Sequence, residues 1–424
     1  MDAYIDDYIY SDLGLHSIEL FARGRKPREH PNKISSLLFY MGTILIHANS
    51  YQDLFRTSDE DPSKVNNSSY LDLGPLYGHN YEEQALVRTF KDGFNKPVTF
   101  AEIRLLGFPS GVAALLVCFN RFHNYVAKEL AEINEGGRFT LISADRMTRE
   151  QLEKYKTPEN KLDNDLFQTA RLNELNASRI TCGLYVNVIF FDYVRTILNL
   201  NRTSSYWLLD PRTNPPTVYC PHGIPEGIGN QDFVRDSRTS QEAEQRTFGG
   251  LTRQADGTFK DAELVKLIYE GTEDVAAFGP RNVPVIMRAV EIFSIQQARS
   301  WNVATLNEFC KFFGLKPHEH FSDISSIRDV AQSLETLYKD VNHVELYPGL
   351  VAEDAKPRQD PGSGLCPGYT ISRVILADAV ALVRDDRFYT LLTEDCNSAT
   401  MTNWGFNQIQ SNPYIAGCGV IYNS

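Results

Sequence analysis

Apolar residues along this chain recur mostly at helical spacing and seldom alternate, which predicts a helical protein with long connecting loops. The run from Ile34 to His47 is apolar nearly all round and predicts a buried helix. From Gly111 to Glu132 apolar positions return at Leu115, Phe119, Phe122 and Val126, the stripe of an amphipathic helix. Asp163 to Leu172 and Ile180 to Leu200 carry the same period. Loops are marked by Asp210-Pro211-Arg212-Thr213-Asn214-Pro215-Pro216, by the Gly/Pro-rich stretch Pro221 to Gly229, and by Gly362 to Gly368. Period-two strands are scarce and no fixed-period repeat is present, so a mainly α architecture follows.

At 424 residues and 42% hydrophobic content the chain can bury roughly three quarters of its surface, as one large domain or two close lobes. A net charge of -12 without a basic stripe argues against nucleic acid, whose phosphates are bound by clustered Lys and Arg. The longest apolar stretches, Gly111 to Phe119 and Leu184 to Phe191, fall short of the roughly 20 residues that cross a bilayer. Asp2, Asp6 and Asp7 open the chain where a secretory signal would carry basic and then apolar residues. Seven widely spaced cysteines form no CxxC pair, which disfavours structural zinc and a disulfide framework and points to a reducing, cytoplasmic setting. The sequons at Asn66, Asn67, Asn176 and Asn201 would then be unused.

Five separated stretches are more specific. They are Ser68-Ser69-Tyr70-Leu71-Asp72-Leu73-Gly74-Pro75-Leu76-Tyr77-Gly78, Asn120-Arg121-Phe122-His123-Asn124-Tyr125, Thr305-Leu306-Asn307-Glu308-Phe309 with Phe313-Gly314-Leu315-Lys316-Pro317, Val344-Glu345-Leu346-Tyr347-Pro348-Gly349-Leu350, and Asp386-Arg387-Phe388-Tyr389. In this order they resemble the animal-type haem peroxidase superfamily, and more closely its fungal fatty-acid dioxygenase branch, the linoleate diol synthases or psi-factor-producing oxygenases. The resemblance runs from about Leu37 to Phe406. It implies a single haem-peroxidase-like helical domain over residues 1–424, with haem as cofactor and calcium as a second ligand. It also implies an unsaturated, linoleate-like fatty acid and dioxygen or peroxide as substrates, and hydroperoxides, the start of oxylipin biosynthesis, as products.

Within that resemblance His47, closing the apolar run Phe39 to His47, matches the distal histidine, a cofactor-side residue that moves a proton at bound peroxide. A histidine here can also cap the last helical carbonyls with its ring; agreement with five motifs favours the distal role. The family's Asp-Leu-Phe element follows the histidine directly, whereas Ala48 to Gln52 precede Asp53-Leu54-Phe55 here, and five helical residues turn the chain by roughly 140°. The Asp72 carboxylate, the Ser68 hydroxyl and the Tyr70 carbonyl are hard oxygens suited to calcium, although Gly74 offers only a carbonyl where relatives often have a hydroxyl. Asp72 could equally cap a turn. The family's counterpart of His123 is structural. His318 and His320 form a His-x-His that reads as solvated loop without a third ligand.

The departure with the largest consequence lies at Gly229-Asn230-Gln231, which runs straight into Asp232-Phe233-Val234. Relatives carry Tyr-x-Trp-His after the Gly-Asn-Gln element, the histidine binding iron from the proximal side and the tyrosine relaying a radical to the fatty acid. Neither is present, and recognisable sequence resumes at Arg246-Thr247-Phe248-Gly249-Gly250. His222 is the nearest upstream histidine and the substitute-ligand candidate. A second departure, Asn173 to Arg179, adds seven residues, nearly two helical turns with about 20° of drift, which a helix can absorb. The thiolate-haem domain that relatives often carry at the C-terminus is not in this sequence, so no diol is expected from this chain alone. Two readings stay open: an impaired haem-dependent dioxygenase, or a catalytically inactive member of the fold that binds lipid or a partner.

Overall fold

The computed structural model describes residues 28–46, 73–185, 243–282, 295–355, 368–374 and 402–407, excepting 79, 103–104, 107–108, 278, 297, 372 and 406. Its helices are α1 (Ser36–Ile46), α2 (Gly74–Tyr77), α3 (Tyr81–Val87), α4 (Ser110–Ile133), α5 (Arg149–Tyr155), α6 (Pro158–Tyr185), α7 (Asp261–Glu273), α8 (Leu306–Phe312), α9 (Phe321–Ile324), α10 (Arg328–Tyr338) and α11 (Leu346–Ala352). Among the described residues β pairing is confined to isolated bridges, such as Arg88 with Asn95 and Thr305 with Glu345. The mainly α expectation holds.

The chain divides into two compact units. One comprises Tyr40–Tyr185, Gly223–Thr272 and Ala381–Ser424, the other Met1–Phe39, Val186–His222 and Glu273–Val380. In the first, α4 packs along α6, burying Val126, Ala127, Leu130, Phe139, Leu166 and Ala170 as a cluster, with Trp404 packed against it. α4 begins after Pro109, whose fixed φ suits a helix start, and ends where Asn134 turns left-handed at φ 44° and donates its N–H to the Leu130 carbonyl. α6 runs unbroken through Asn173 and on to Tyr185, so the helix does absorb the extra seven residues.

The face that α4 buries differs from the expected stripe. Of Leu115, Phe119, Phe122 and Val126, only Val126 is fully buried; Gly111 to Ala114, Leu116 and Val117 are enclosed nearly all round the first turns, and Asn120, His123, Ala127 and Leu130 join Val126 further on. Burial shifts round the helix because Asn120 and His123 find hydrogen-bond partners on a distant loop, which no hydropathy pattern records.

In the second unit Thr305 caps α8, its side chain accepting from the Glu308 N–H while Glu308 reaches back to the Thr305 N–H, a capping box. Leu306 N–H donates to the Val344 carbonyl at 2.8 Å, and α11 lies so close that a Cβ at Gly349 would meet the Leu306 side chain. The third and fourth family-like stretches thus pack on each other.

Close approach also explains Gly111. The Tyr40 ring lies where a Cβ at Gly111 or at Gly271 would stand, 2.5 Å from the ring's Cε2. Replacing a helical glycine by alanine ordinarily gains about 1 kcal/mol. Gly111→Ala is instead expected to cost about 1–3 kcal/mol by overpacking, read as a lowered urea midpoint. Tyr40→Ala/Gly111→Ala should lose less than the sum of the two single changes; strict additivity would exclude the contact.

Candidate functional site

His47, Ser68, Tyr70, Asp72 and His222 lie outside the described residues, as does the junction of Gln231 and Asp232. The described chain brackets two of these places. α1 ends at Ile46, directly before His47, with Leu38, Phe39 and Ile44 fully buried. The stretch that begins at Ser68 enters the described fold at Leu73, which is buried and left-handed at φ 50°. Its carbonyl accepts from the N–H groups of Leu76 and Tyr77, fixing a tight turn into α2.

The Asn120-Arg121-Phe122-His123-Asn124 stretch is a clamp. Asn120 Oδ1 accepts from Val98 N–H at 3.1 Å, and its Nδ2 donates to the carbonyls of Lys96 and Thr99. Asn124 exchanges both of its amide groups with the Asn95 backbone, at 2.8 and 3.0 Å. Spaced i, i+3 and i+4, Asn120, His123 and Asn124 point one way from α4 and hold the 93–99 loop. Arg121 points elsewhere, donating to Asp261 Oδ1 at 2.7 Å and to the Phe259 carbonyl.

His123 is fully enclosed and both ring nitrogens are engaged: Nδ1 is 2.8 Å from Tyr77 Oη and Nε2 is 3.0 Å from the Gly93 carbonyl. Burial lowers its pKa to about 4, with the Arg88 and Arg171 guanidiniums acting the same way. It is a structural histidine, as expected. Beside it stand two features that the pattern of apolar positions did not single out. Glu174, on α6, hydrogen-bonds Tyr77. Arg88 and Asp163 form a buried ion pair at 2.6 Å, their side chains 4% and 8% exposed. A signal for Glu174 exists in hindsight, since Leu166, Phe167, Ala170, Asn173 and Glu174 share one helical face.

In the second unit Asn307 accepts from His318 N–H at 2.8 Å and donates to the His318 carbonyl and to Asn342, holding the turn after α8. His318 corrects one expectation. Its side chain is only 14% exposed and stands 3.7 Å from Glu353 Oε1, too far for a hydrogen bond, so it is not in solvated loop. Glu353 is tied to Thr370, whose N–H and hydroxyl both donate to it; burial raises its pKa and lowers that of His318. His320 is exposed at the start of α9. Among the described residues no three His, Cys, Asp or Glu side chains are arranged to hold a metal ion. An apolar recess of about 200 Å³ lies beside Ile295, Val303 and Leu346, smaller than the roughly 300 Å³ at which small-molecule sites begin.

Known proteins supply what this geometry leaves unsaid. Residues 233–413 match the animal haem peroxidase family. Linoleate diol synthase of Gaeumannomyces graminis is 47% identical across 94% of this chain and 36% of its own length. Linoleate 10R-lipoxygenase of Aspergillus fumigatus is 46% identical across 94% of this chain and 38% of its own. Over residues 233–413 the chain is similar to the animal haem peroxidases, and over nearly its whole length it is similar to linoleate diol synthase. It spans little more than a third of these longer proteins. The aligned stretches of 445 and 446 residues exceed its 424, so both relatives hold residues with no counterpart here.

The fold is shared with solved structures too. Fatty acid alpha-dioxygenase of Arabidopsis thaliana has a TM-score of 0.57 at 16% identity, covering 96% of this chain and 74% of that one. Peroxidase A of Dictyostelium discoideum has a TM-score of 0.53 at 15% identity, with 96% and 89% covered. The family implies haem, and the side chains can be tested for it. His123 has no ring nitrogen free for iron, and no Tyr-x-Trp-His follows Gln231. Of the described residues, His123 therefore offers no nitrogen to an iron.

Proposed function

We propose that this chain is a fatty-acid dioxygenase domain of the haem peroxidase type whose own oxygenation chemistry is impaired. The 47% identity to linoleate diol synthase across 94% of the chain carries the reading. The chemistry of the lineage joins a linoleate-like unsaturated fatty acid with dioxygen or peroxide and yields a hydroperoxide, within one domain of residues 1–424. His47 is the proton-moving residue on the peroxide side, Ser68, Tyr70 and Asp72 are calcium ligands, and the widely spaced cysteines accord with the cytoplasm. Impairment rests on the direct join of Gln231 to Asp232, with no Tyr-x-Trp-His after the Gly-Asn-Gln element. The same join favours the second reading, a fold kept to bind lipid or a partner.

Oxygen uptake tests the proposal. The haemin-supplemented chain with linoleic acid is expected to consume no more oxygen than haemin alone. Any residual peroxide-dependent dye oxidation should vanish in His47→Ala while the helical circular dichroism stays. Sustained hydroperoxide formation that His222→Ala abolishes would contradict impairment and assign His222 the proximal place.

A further inference from the structure

Three titratable side chains, Glu174, Tyr77 and His123, stand in line inside the first unit, each with no exposed surface. Tyr77 Oη is hydrogen-bonded to Glu174 Oε2 and lies 2.8 Å from His123 Nδ1. His123 Nε2 faces the Gly93 carbonyl at 3.0 Å. A carbonyl only accepts, so Nε2 carries hydrogen. For neutral His123, Nδ1 is then the acceptor and takes the one hydroxyl hydrogen of Tyr77. The bond between Tyr77 and Glu174 must then draw its hydrogen from the carboxyl.

Nothing among the described residues ion-pairs Glu174 as a carboxylate except His123 itself, 3.8 Å away. Its Oε1 has no hydrogen-bond partner. The charged groups facing the trio are Arg171, 5.1 Å over the Tyr77 ring, and Arg88, paired to Asp163.

We propose that Glu174, Tyr77 and His123 form a buried chain that holds a single shared proton, resting on Glu174, and ties the stability of this unit to pH. Burial acts in the same sense on all three, raising the Glu174 carboxyl and the Tyr77 hydroxyl well above their usual ranges and lowering His123 to about 4. The alternative, a Glu174 carboxylate beside a His123 imidazolium, separates charge where no water reaches and holds the same number of protons. The pH dependence follows from that number. Unfolded, the carboxyl and imidazole together bind two protons below about pH 4.3, one up to about 6.5 and none above. The folded trio binds one proton down to about pH 4, where His123 takes up a second, so stability is level from there to about 6.5. It falls above about 6.5, where folding takes up a proton.

Urea titrations of the full chain and of Glu174→Gln between pH 5 and 9 separate this from a merely structural contact. Above pH 6.5 the folding constant of the parent should fall by about tenfold per pH unit relative to Glu174→Gln. Below 6.5 Glu174→Gln should weaken against the parent, because only His123 is then left to be kept neutral. Infrared difference spectra of parent minus variant at pH 7 should show a protonated-carboxyl stretch. Parallel pH profiles would overturn the shared proton, and a carboxylate band in place of the carboxyl would overturn its seat on Glu174. Should Glu174→Gln fail to fold, Tyr77→Phe serves instead: the carboxyl stretch should move to the position of an unbonded acid, and an unmoved band would refute the chain.

Discussion

Asp163→Ala is expected to cost the first unit about 3–5 kcal/mol, enough to leave it largely unfolded, because it strands Arg88 as an uncompensated buried cation. The Arg88 guanidinium donates to Asp163 at 2.6 Å and lies 4.0 Å above the centre of the Phe167 ring. Asp163 also accepts from Gly93 N–H at 2.7 Å, so the same change orphans the backbone that seats His123. Lysine at position 88 would not rescue the pair, since a point charge on a flexible stem replaces a planar fork. Arg88→Met/Asp163→Leu should lose less than either single replacement, because no charge is left buried alone. Chemical denaturation of the three variants checks the order. A double variant as weak as the worse single one would mean that packing, not the buried charge, dominates.

The second large effect is a gain. Inserting between Gln231 and Asp232 a relative's segment that contains Tyr-x-Trp-His is expected to take the chain from no detectable hydroperoxide to steady turnover of linoleic acid. The inserted imidazole would hold and tune the cofactor, and the inserted tyrosine would supply the hydrogen-abstracting group. Changing the inserted tyrosine to phenylalanine should keep haem and abolish oxygenation; changing the inserted histidine to alanine should lose both. Product analysis after reconstitution decides the matter. An insert variant that binds haem tightly yet gives no product would show that Ala48 to Gln52 or Asn173 to Arg179 has also disabled the site.

Why some of this was readable in sequence and some was not has a physical basis. α1 announces itself by its apolar content and α4 by its helical period, and the turn after α8 because Gly314, at φ 68°, adopts a conformation that glycine tolerates without strain. Thr305-x-x-Glu308 is a capping signature written locally. The buried face of α4 was misjudged because Asn120 and His123 are enclosed by partners more than twenty residues away. Glu174 and Asp163 went unremarked for the same reason: a buried charge or acid is identified by its partner, and Tyr77, His123 and Arg88 meet them only in the fold. The reverse holds for His318, whose sequence setting suggests solvent and whose side chain packs beside Glu353.

The central claim, that this haem peroxidase relative lacks a proximal iron ligand, is tested most directly by titrating the purified chain with haemin, desalting it and recording the absorption spectrum. Little haem should survive desalting, and what remains should lack the signature of histidine-ligated ferric haem, since burial of the porphyrin contributes only about 25 cal/mol per Å² without an iron bond. A stoichiometric complex that survives desalting, shows the histidine-ligated spectrum and loses it in His222→Ala would contradict the claim.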